Sequence, residues 1–388
     1  MTNAPKTIWN RNFILLFIVN CIVNFGHSMV ANLLPKYLDS IGLAGTAIGF
    51  IISLFSFTAL GFRPVTGPLI DGWDKKKLYM LMLGVLILSF AGYTFFPMMS
   101  VIVICRLLQG LGQGCISALA LTMATDSVPP ERLGSGLSLY GIGAVLASAL
   151  GPGLGLSIME RFGYSYAFLA PLALLLISLL ISTLLQSTYI PGTRIRFSLS
   201  GMLCREAFLP AVLTMLTCLV RAGLYTFLIV YITENRHIEG MSWYYYVNAL
   251  AMIVSRPFFG RLADRKGLHI ALIPSLSFFA VALVLTALCR STAMLMVIAV
   301  LNAFGFGSAF SFEQALCMKV APPDHRGAAS TTSFIGVDLG DLIGPIVCGA
   351  LVDWFGYAPM FLFMLIPVVL SAFLLFFWVP KHREILRP

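Results

Sequence analysis

The sequence predicts an all-α integral membrane protein of twelve transmembrane helices, arranged as two parallel six-helix halves. Three observations support this fold class. Of the 388 residues, 59% are hydrophobic and only 11% are charged, and the mean hydropathy is +0.92, a composition that leaves too little polar surface for a water-soluble globule. Apolar runs long enough to cross a bilayer recur along the whole chain. The two halves of the chain also repeat each other.

The apolar runs are each about 20 residues long, which is the length of helix that spans a hydrocarbon core. The first run follows Lys6 and Arg11. We interpret it as a retained helix, because it is longer than the apolar core of a secretion signal and further runs follow it. The runs lie near residues 13–34, 47–69, 78–97, 101–124, 134–158, 165–187, 208–232, 243–262, 268–289, 293–317, 328–352 and 357–379.

The internal repeat appears when the chain is shifted against itself by 193 residues. Individual identical residues then coincide at one constant offset along a stretch of about a hundred residues, which indicates duplication. The shift places Arg63, Gly67, Asp71, Gly151 and Pro152 on Arg256, Gly260, Asp264, Gly344 and Pro345. Six helices per copy bring each half back to the side where it started, so the halves are parallel. We expect an N-terminal half over 1–187, a cytoplasmic linker over 188–207 and a C-terminal half over 208–388.

The positive charge of the chain reflects its orientation in a membrane. The formal net charge is +9, and most of the 25 Lys and Arg residues fall in segments that are cytoplasmic if the N-terminus is cytoplasmic. This bias predicts a plasma-membrane protein with both termini in the cytoplasm and leaves no basic surface for nucleic acid. The eight cysteines lie mostly in apolar runs without metal-ligand spacing, so we expect no metal site and no cofactor.

Two motifs carry a family resemblance. Gly67-Pro68-Leu69-Ile70-Asp71 follows the second run and has a copy at Gly260-Arg261-Leu262-Ala263-Asp264-Arg265, while Arg106-Leu107-Leu108-Gln109-Gly110-Leu111-Gly112 lies on the fourth. Glycine lets helix ends approach closely, and a carboxylate there can cap a neighbouring helix. With these motifs the chain resembles the major facilitator superfamily over nearly its whole length. The resemblance implies a gating motif that consists of Arg63, Gly67, Asp71, Arg256, Gly260, Asp264 and Arg265.

The fifth run contains Gly151-Pro152-Gly153-Leu154-Gly155. This segment is similar to a signature that proton-coupled exporters of the superfamily use and importers generally lack. Proline removes a backbone hydrogen bond and glycine admits a close neighbour, so we expect a kinked helix packed against another. The resemblance therefore favours export, with Gly151, Pro152 and Gly155 as the motif residues.

Polar and ionisable side chains inside the membrane are costly and mark candidate sites. The resemblance implies that helices one, four, seven and ten line a cavity, which would bring such side chains into a polar belt. The substrate-cavity candidates are Asn20, Asn24, His27, Arg106, Gln109, Arg221, Tyr225, Asn302, Phe310 and Glu313. The alternatives stay open: Arg106 can belong to a structural ion pair, and His27 can be a helix-packing histidine.

Proton coupling needs a group whose proton affinity changes when the cavity opens to the other side, and a half-buried carboxylate with a movable basic partner suits that task. The candidates, in order, are Asp341, Glu313 and Asp338, with His27 as a further one. A permanent salt bridge to Arg221 or Arg106 is the alternative for each carboxylate.

Together these features predict a monomeric secondary transporter that works by alternating access and exports a small, partly apolar solute in exchange for protons. No Gly-x-x-x-x-Gly-Lys segment is present, so ATP is not the predicted energy source. An importer of a sugar, organic acid or metal chelate is the alternative. An intramembrane enzyme or receptor is more remote, because Asp338 and Asp341 share one helix face, whereas membrane aspartyl proteases place their aspartates on separate helices. The sequence leaves the substrate open.

Overall fold

The structure is a computed structural model that describes residues 7, 9–96, 98–129, 133–186, 204–321 and 326–378. Side chains are described at these positions except 67–68, 71–72, 133–139, 141–142, 144–145, 256–257, 260–261, 264–266, 268–269 and 326–328.

The described chain is helical throughout and contains no strand among these residues, so the predicted all-α fold is confirmed. Each of the twelve predicted runs coincides with helix. The helices are α1 (Arg11–Ser40), α2 (Gly45–Gly72), α3 (Lys75–Phe95), α4 (Met99–Asp126), α5 (Leu133–Phe162), α6 (Tyr164–Thr183), α7 (Phe208–Val230), α8 (Met241–Lys266), α9 (Leu268–Ala287), α10 (Thr292–Val320), α11 (Arg326–Phe355), α12 (Tyr357–Phe363) and α13 (Leu365–Trp378). A π-helical turn, Tyr231–Asn235, extends α7.

The twelfth predicted helix is interrupted at Met364, which separates α12 from α13. Pro367 explains the break, because it has no N–H for the carbonyl of Phe363 four residues earlier, and its ring crowds that carbonyl. The two pieces still form one apolar span, Tyr357–Trp378. Within the described residues, ten spans are long and apolar enough to cross a membrane.

Glycines in the left-handed region form the tight turns between consecutive helices. Gly163 joins α5 to α6 with φ 87° and ψ 174°, and Gly356 joins α11 to α12 with φ 84° and ψ 173°. A residue with a side chain rarely adopts such a φ, so glycine is required at both turns. The two glycines are related by the 193-residue shift, since 163 + 193 = 356, so this turn is the same in both copies of the repeat.

The chain divides into two compact units. Unit 1 consists of Met1–Leu34 and Phe57–Phe197, and unit 2 consists of Pro35–Ser56 and Ser198–Pro388. Unit 1 therefore holds α3 to α6 and most of α1, and unit 2 holds α7 to α13 together with the end of α1 and the start of α2. Compared with the predicted halves, 1–187 and 208–388, residues 35–56 belong to unit 2, and the units divide at 197/198, inside the predicted 188–207 linker.

Helix α7 lies at the centre of unit 2 and packs against α10 and α11. Its contact with α11 is close because Gly336, Gly340 and Gly344 recur every four residues on the facing side of α11. A Cβ at Gly336 or Gly344 would overlap the carbonyl oxygens of Ala211 and Leu219, respectively. Small residues at this spacing let two helix backbones touch. This glycine strip, formed by Gly336, Gly340 and Gly344, thereby sets the distance between the backbones of α11 and α7.

The start of α2 is capped by α11 within unit 2. The carboxylate of Asp353 accepts hydrogen bonds from the backbone N–H of Gly45 and of Thr46, both at 2.8 Å, and from the Thr46 hydroxyl. The first N–H groups of a helix lack partners in their own helix, so a carboxylate at this point stabilises the helix start.

Candidate functional site

Unit 2 contains a row of side-chain contacts between α7 and α10. Thr217, Arg221 and Tyr225 recur every four residues on α7 and therefore share one face of the helix. On α10, Glu313, Phe306 and Asn302 lie opposite them in that order. The two helices thus meet in three pairs.

The middle pair is joined to α11 by an ion pair. The guanidinium of Arg221 donates to the carboxylate of Asp341, and its Cζ lies 5.5 Å from the ring centroid of Phe306. Each charged side chain keeps 25% of its surface exposed. Phe310 stacks on Phe306 with ring centroids 5.6 Å apart. Arg221 is therefore held by a charge on one helix and by an aromatic face on another.

The pair of Thr217 and Glu313, called the inner pair below, places a carboxylic acid in a fully buried position. Glu313 has no exposed surface, and its Oε2 lies 2.6 Å from the hydroxyl oxygen of Thr217. The other oxygen, Oε1, has no hydrogen-bond partner among the described residues. Burying an ionised carboxylate with so little compensation is expensive, whereas the protonated acid is tolerated. Glu313 is therefore held under conditions that favour its neutral form.

The pair of Tyr225 and Asn302, called the outer pair below, is polar and aromatic. The amide nitrogen of Asn302 donates to the hydroxyl of Tyr225 at 3.1 Å. Tyr225 also stacks on Tyr245 of α8 with ring centroids 6.4 Å apart. The amide oxygen of Asn302 is buried and has no hydrogen-bond partner among the described residues. Asp338 lies one turn before Asp341 on α11 and is partly exposed.

Unit 1 contains a second polar cluster, centred on Gln109 of α4. Its Oε1 accepts hydrogen bonds from Nη1 of Arg106 at 2.9 Å and from the hydroxyl of Tyr93 at 3.0 Å. Its Nε2 lies 3.4 Å from Nδ1 of His27 on α1. Because the amide oxygen already receives two donors, the amide nitrogen is the donor toward His27. His27 then accepts at Nδ1, as only a neutral imidazole can.

The two asparagines of α1 serve helix packing in this arrangement. The amide nitrogen of Asn24 donates to the backbone and side-chain oxygens of Asn20, at 2.7 and 2.8 Å, and that of Asn20 donates to the carbonyl of Tyr140 on α5 at 3.4 Å.

The structure thus places eight of the ten predicted cavity residues in two clusters, while Asn20 and Asn24 bond to each other and to the carbonyl of Tyr140. His27, Arg106 and Gln109 meet in unit 1, and Arg221, Tyr225, Asn302, Phe310 and Glu313 lie together in unit 2. Arg106, Gln109, Asn302 and Glu313 are buried in this conformation, so their role in the cavity stays a prediction. Among the described side chains, no group of three or more His, Cys, Asp or Glu could hold a metal ion.

Two members of these clusters escaped the sequence reasoning. Thr217 lies on the same face as Arg221 and Tyr225, so its spacing was a usable signal. Tyr93 is sixteen residues before Gln109 on another helix, and no spacing rule connects them. The role of Phe306 beside Arg221 likewise depends on the helix pairing.

The predicted exporter motif packs against α1 within unit 1. Gly151 lies against Ser28 and the carbonyl of Phe25, and a Cβ at Gly155 would come 3.1 Å from the carbonyl oxygen of Met29. Pro152 lies inside α5 between these two contacts. The motif therefore determines how closely α5 approaches α1.

The predicted gating motif falls on α2 and α8. Arg63 lies on α2 and is partly exposed. The side chains of Gly67, Asp71, Arg256, Gly260, Asp264 and Arg265 lie outside the described part of the chain, so their gating role stays a prediction.

Comparison with known proteins agrees with this architecture. The curated relatives include the multi-drug resistance efflux pump PmrA homolog of Lactococcus lactis, 25% identical over 92% of each chain. The quinolone resistance protein NorA of Staphylococcus aureus is 22% identical over 97% of this chain and 99% of its own.

Solved structures show the same fold. A nucleoside transporter, NupG, matches with a TM-score of 0.75 at 17% identity over 96% of this chain and 99% of its own. A peptide transporter, POT, in complex with sulfate matches with a TM-score of 0.82 at 13% identity over 97% and 96% of the two chains.

The sequence profile of the Major Facilitator Superfamily matches residues 16–205 and 210–386, nearly the whole chain. With the relatives, this match identifies a multi-pass membrane transporter of small molecules and not an enzyme, so the resemblance seen in the sequence is confirmed. The chain belongs to the Major Facilitator Superfamily.

Proposed function

We propose that the chain is a proton-coupled exporter of small, partly apolar solutes that works by alternating access. We place it in the plasma membrane as a monomer with both termini in the cytoplasm. The observation that carries the proposal is Glu313, a fully buried carboxyl with one hydroxyl contact in the described residues. The names of the efflux pump and quinolone resistance relatives and the glycine–proline motif on α5 support the outward direction.

The proton is carried by Glu313 in this proposal. Glu313 takes up a proton when the site faces the outside. It then keeps this proton while it is buried, as the neutral acid of the present conformation. When the site opens to the cytoplasm, water reaches the carboxyl and the proton is released there, because hydration removes the penalty on the ionised form. One proton moves inward as one solute molecule moves outward, and for a monovalent cation such as ethidium this exchange transfers no net charge.

Burial favours Glu313 over the other carboxylates for this role. Asp341 forms an ion pair with Arg221. The guanidinium would have to move away before Asp341 could be protonated as easily as Glu313. We therefore assign the Arg221–Asp341 pair to the solute side of the cycle, where its partial exposure and the aromatic rings of Phe306 and Phe310 offer exchangeable contacts. Asp338 stays a secondary candidate. His27 is neutral in its hydrogen-bonded arrangement and stays a candidate for unit 1.

The test measures accumulation of ethidium and of a quinolone in bacterial cells stripped of their own efflux pumps. Cells that express the protein should accumulate less of at least one compound, and a protonophore should abolish the difference. Glu313→Gln should accumulate as much as cells without the protein. Glu239→Gln alters an exposed carboxylate and serves as the matched control, which should behave as the native protein.

Two outcomes would contradict the proposal. Increased accumulation in expressing cells would indicate an importer. Reduced accumulation that survives both the protonophore and Glu313→Gln would show that neither the proton gradient nor this carboxyl drives export.

A further inference from the structure

Thr217 supplies the one hydrogen-bond partner that the described residues give to Glu313. Its side chain is fully buried on α7. Three oxygens surround its hydroxyl: Oε2 of Glu313 at 2.6 Å, the carbonyl of Thr214 at 3.1 Å and the carbonyl of Leu213 at 3.2 Å. A hydroxyl has one hydrogen and can accept as well as donate. Only one of these three oxygens can therefore receive the hydrogen at any time.

This surplus of acceptors gives the hydroxyl two complete arrangements. When Glu313 is ionised, the Thr217 hydroxyl donates to Oε2 and stabilises the charge. When Glu313 is protonated, the acid O–H donates to the Thr217 oxygen, and the Thr217 hydrogen turns to the carbonyl of Leu213 or Thr214. No heavy atom has to move between the two arrangements. The carbonyls of the helix are ready acceptors, because each has a second lone pair.

We infer that Thr217 is the positioning residue of the proton site, whose hydroxyl reverses its hydrogen bond to serve both the protonated and the ionised form of Glu313. The inference rests on the proposed function, because it assigns a partner to the proton carrier named there. Without the hydroxyl, the ionised form of Glu313 would lose a charge-assisted hydrogen bond, and the protonated form would lose a neutral one. The first loss is the larger. The carboxyl would then exchange its proton poorly, while the path of the solute would stay intact.

Other titratable groups near this site do not replace the hydroxyl. Among the described side chains, Cys317 on α10 and Cys218 on α7 interact electrostatically with Glu313, and Arg221 and Asp341 interact with Cys218. Arg221 is engaged with Asp341, and the two thiols are weak hydrogen-bond donors. Thr217 is thus the strongest donor in contact with the acid.

The test separates proton coupling from solute passage in everted membrane vesicles, with ethidium as the probe. Respiration acidifies the lumen and drives accumulation, whereas exchange of labelled for unlabelled ethidium without a gradient needs no net proton transfer. Thr217→Val removes the hydroxyl at nearly constant shape. We expect proton-driven accumulation to fall by about tenfold or more, because hydrogen bonds to charged groups are among the strongest in proteins, while exchange stays within about twofold of the native protein.

Thr217→Ser keeps the hydroxyl and should restore the native ratio of driven accumulation to exchange. Thr226→Val is the matched control, since Thr226 is also buried on α7 and also bonds the carbonyl four residues earlier, but lies away from Glu313. It should leave the ratio unchanged. If Thr217→Val does not reach the membrane, Thr217→Ala gives the same comparison, because the ratio is independent of the amount of protein.

The outcomes separate the two claims. A native ratio in Thr217→Val would overturn the inference and leave Glu313 as the proton carrier. Equal losses of accumulation and exchange in that variant would also overturn it, because a purely structural role predicts them. Absence of proton-driven accumulation of both ethidium and the quinolone in the native protein would overturn the proposed function and the inference with it.

Discussion

The polar clusters of the two units differ in the groups from which they are built. In unit 1 the amide of Gln109 holds Arg106 and Tyr93 through one oxygen and His27 through its nitrogen. In unit 2 two carboxylates, Asp341 and Glu313, are held by a guanidinium and by a hydroxyl. The hydrogen bonds of the first cluster join an arginine to neutral partners, while those of the second involve two acids that can change charge.

The repeat makes this difference informative. At the 193-residue shift, Gly143 and Gly151 of α5 correspond to Gly336 and Gly344 of α11. In each unit these glycines pack against the first helix of the corresponding half, α1 or α7.

The ionisable residues of the two polar clusters do not repeat. Arg221, Glu313 and Asp341 correspond to Ser28, Ala120 and Ser148, and Arg106 corresponds to Ala299. Helix packing was therefore retained in both copies after duplication, whereas the charged groups of the two clusters differ between the copies. The comparison teaches that the shared glycines build the scaffold and that the chemistry belongs to single copies.

The largest expected effect comes from the shared scaffold. Gly344→Ala would place a Cβ into the carbonyl of Leu219 and force α11 away from α7, which we expect to destabilise the protein by about 3 kcal/mol or more. Gly84→Ala on α3 meets nothing within 4 Å and should be neutral or slightly stabilising. The melting temperature of each variant, followed as the loss of monodisperse protein on heating in detergent, measures both effects. Equal melting temperatures for the two variants would show that the strip is not a scaffold.

The next effect sharpens the role of charge in unit 2. Arg221→Ala or Asp341→Asn alone leaves one partly buried charge without its partner, at a cost on the order of 3 kcal/mol. The double variant leaves neither charge and should recover part of that loss. A thermal-stability cycle over the four proteins measures the coupling. Additive losses in the double variant would mean that the ion pair contributes no coupling.

In unit 1 the central amide should matter less. Gln109→Leu deprives Arg106 and Tyr93 of their shared acceptor, and we expect a loss of about 1–3 kcal/mol from the unsatisfied donors. Gln113→Leu is the control on the same helix, because the amide oxygen of Gln113 has no hydrogen-bond partner among the described residues. Its stability should stay close to that of the native protein. A greater loss in Gln113→Leu than in Gln109→Leu would refute the central role of Gln109.

Much of this organisation could be predicted from the sequence, and the missing part has a physical reason. Hydropathy fixed the twelve spans, and the repeat gave the common positions of Gly151 and Gly344. Rarity in apolar runs singled out Arg106, Arg221, Glu313 and Asp341, because each ionisable group is costly in lipid.

Partners could not be predicted in the same way. The spacing of Thr217 places it on the face of Arg221, but its pairing with Glu313 depends on how α7 packs against α10. No spacing connects Tyr93 to Gln109, because the two residues lie on different helices. The break at Met364 was also missed, although Pro367 stands three residues later and removes a helical hydrogen bond.

The smallest expected effect concerns the outer pair of unit 2. Tyr225→Phe removes the hydroxyl that accepts from Asn302 but keeps the stack on Tyr245, so we expect a loss of about 0.5–1.5 kcal/mol. Tyr246→Phe, at a neighbouring aromatic on α8, provides a reference for the loss of one hydroxyl. A thermal shift for Tyr225→Phe as large as that for Arg221→Ala would contradict this ranking, because the Tyr225–Asn302 contact would then stabilise the protein as much as the ion pair does.

The most direct test of the central claim, that the proton is carried in unit 2, is proton movement in proteoliposomes that contain the purified protein. A pH-sensitive dye trapped inside reports protons when ethidium is added outside. We expect ethidium to drive proton flux with the native protein and with His27→Gln, and we expect no flux with Glu313→Gln. Coupled flux that persists in Glu313→Gln and disappears in His27→Gln would place the proton site in unit 1 and contradict its assignment to unit 2.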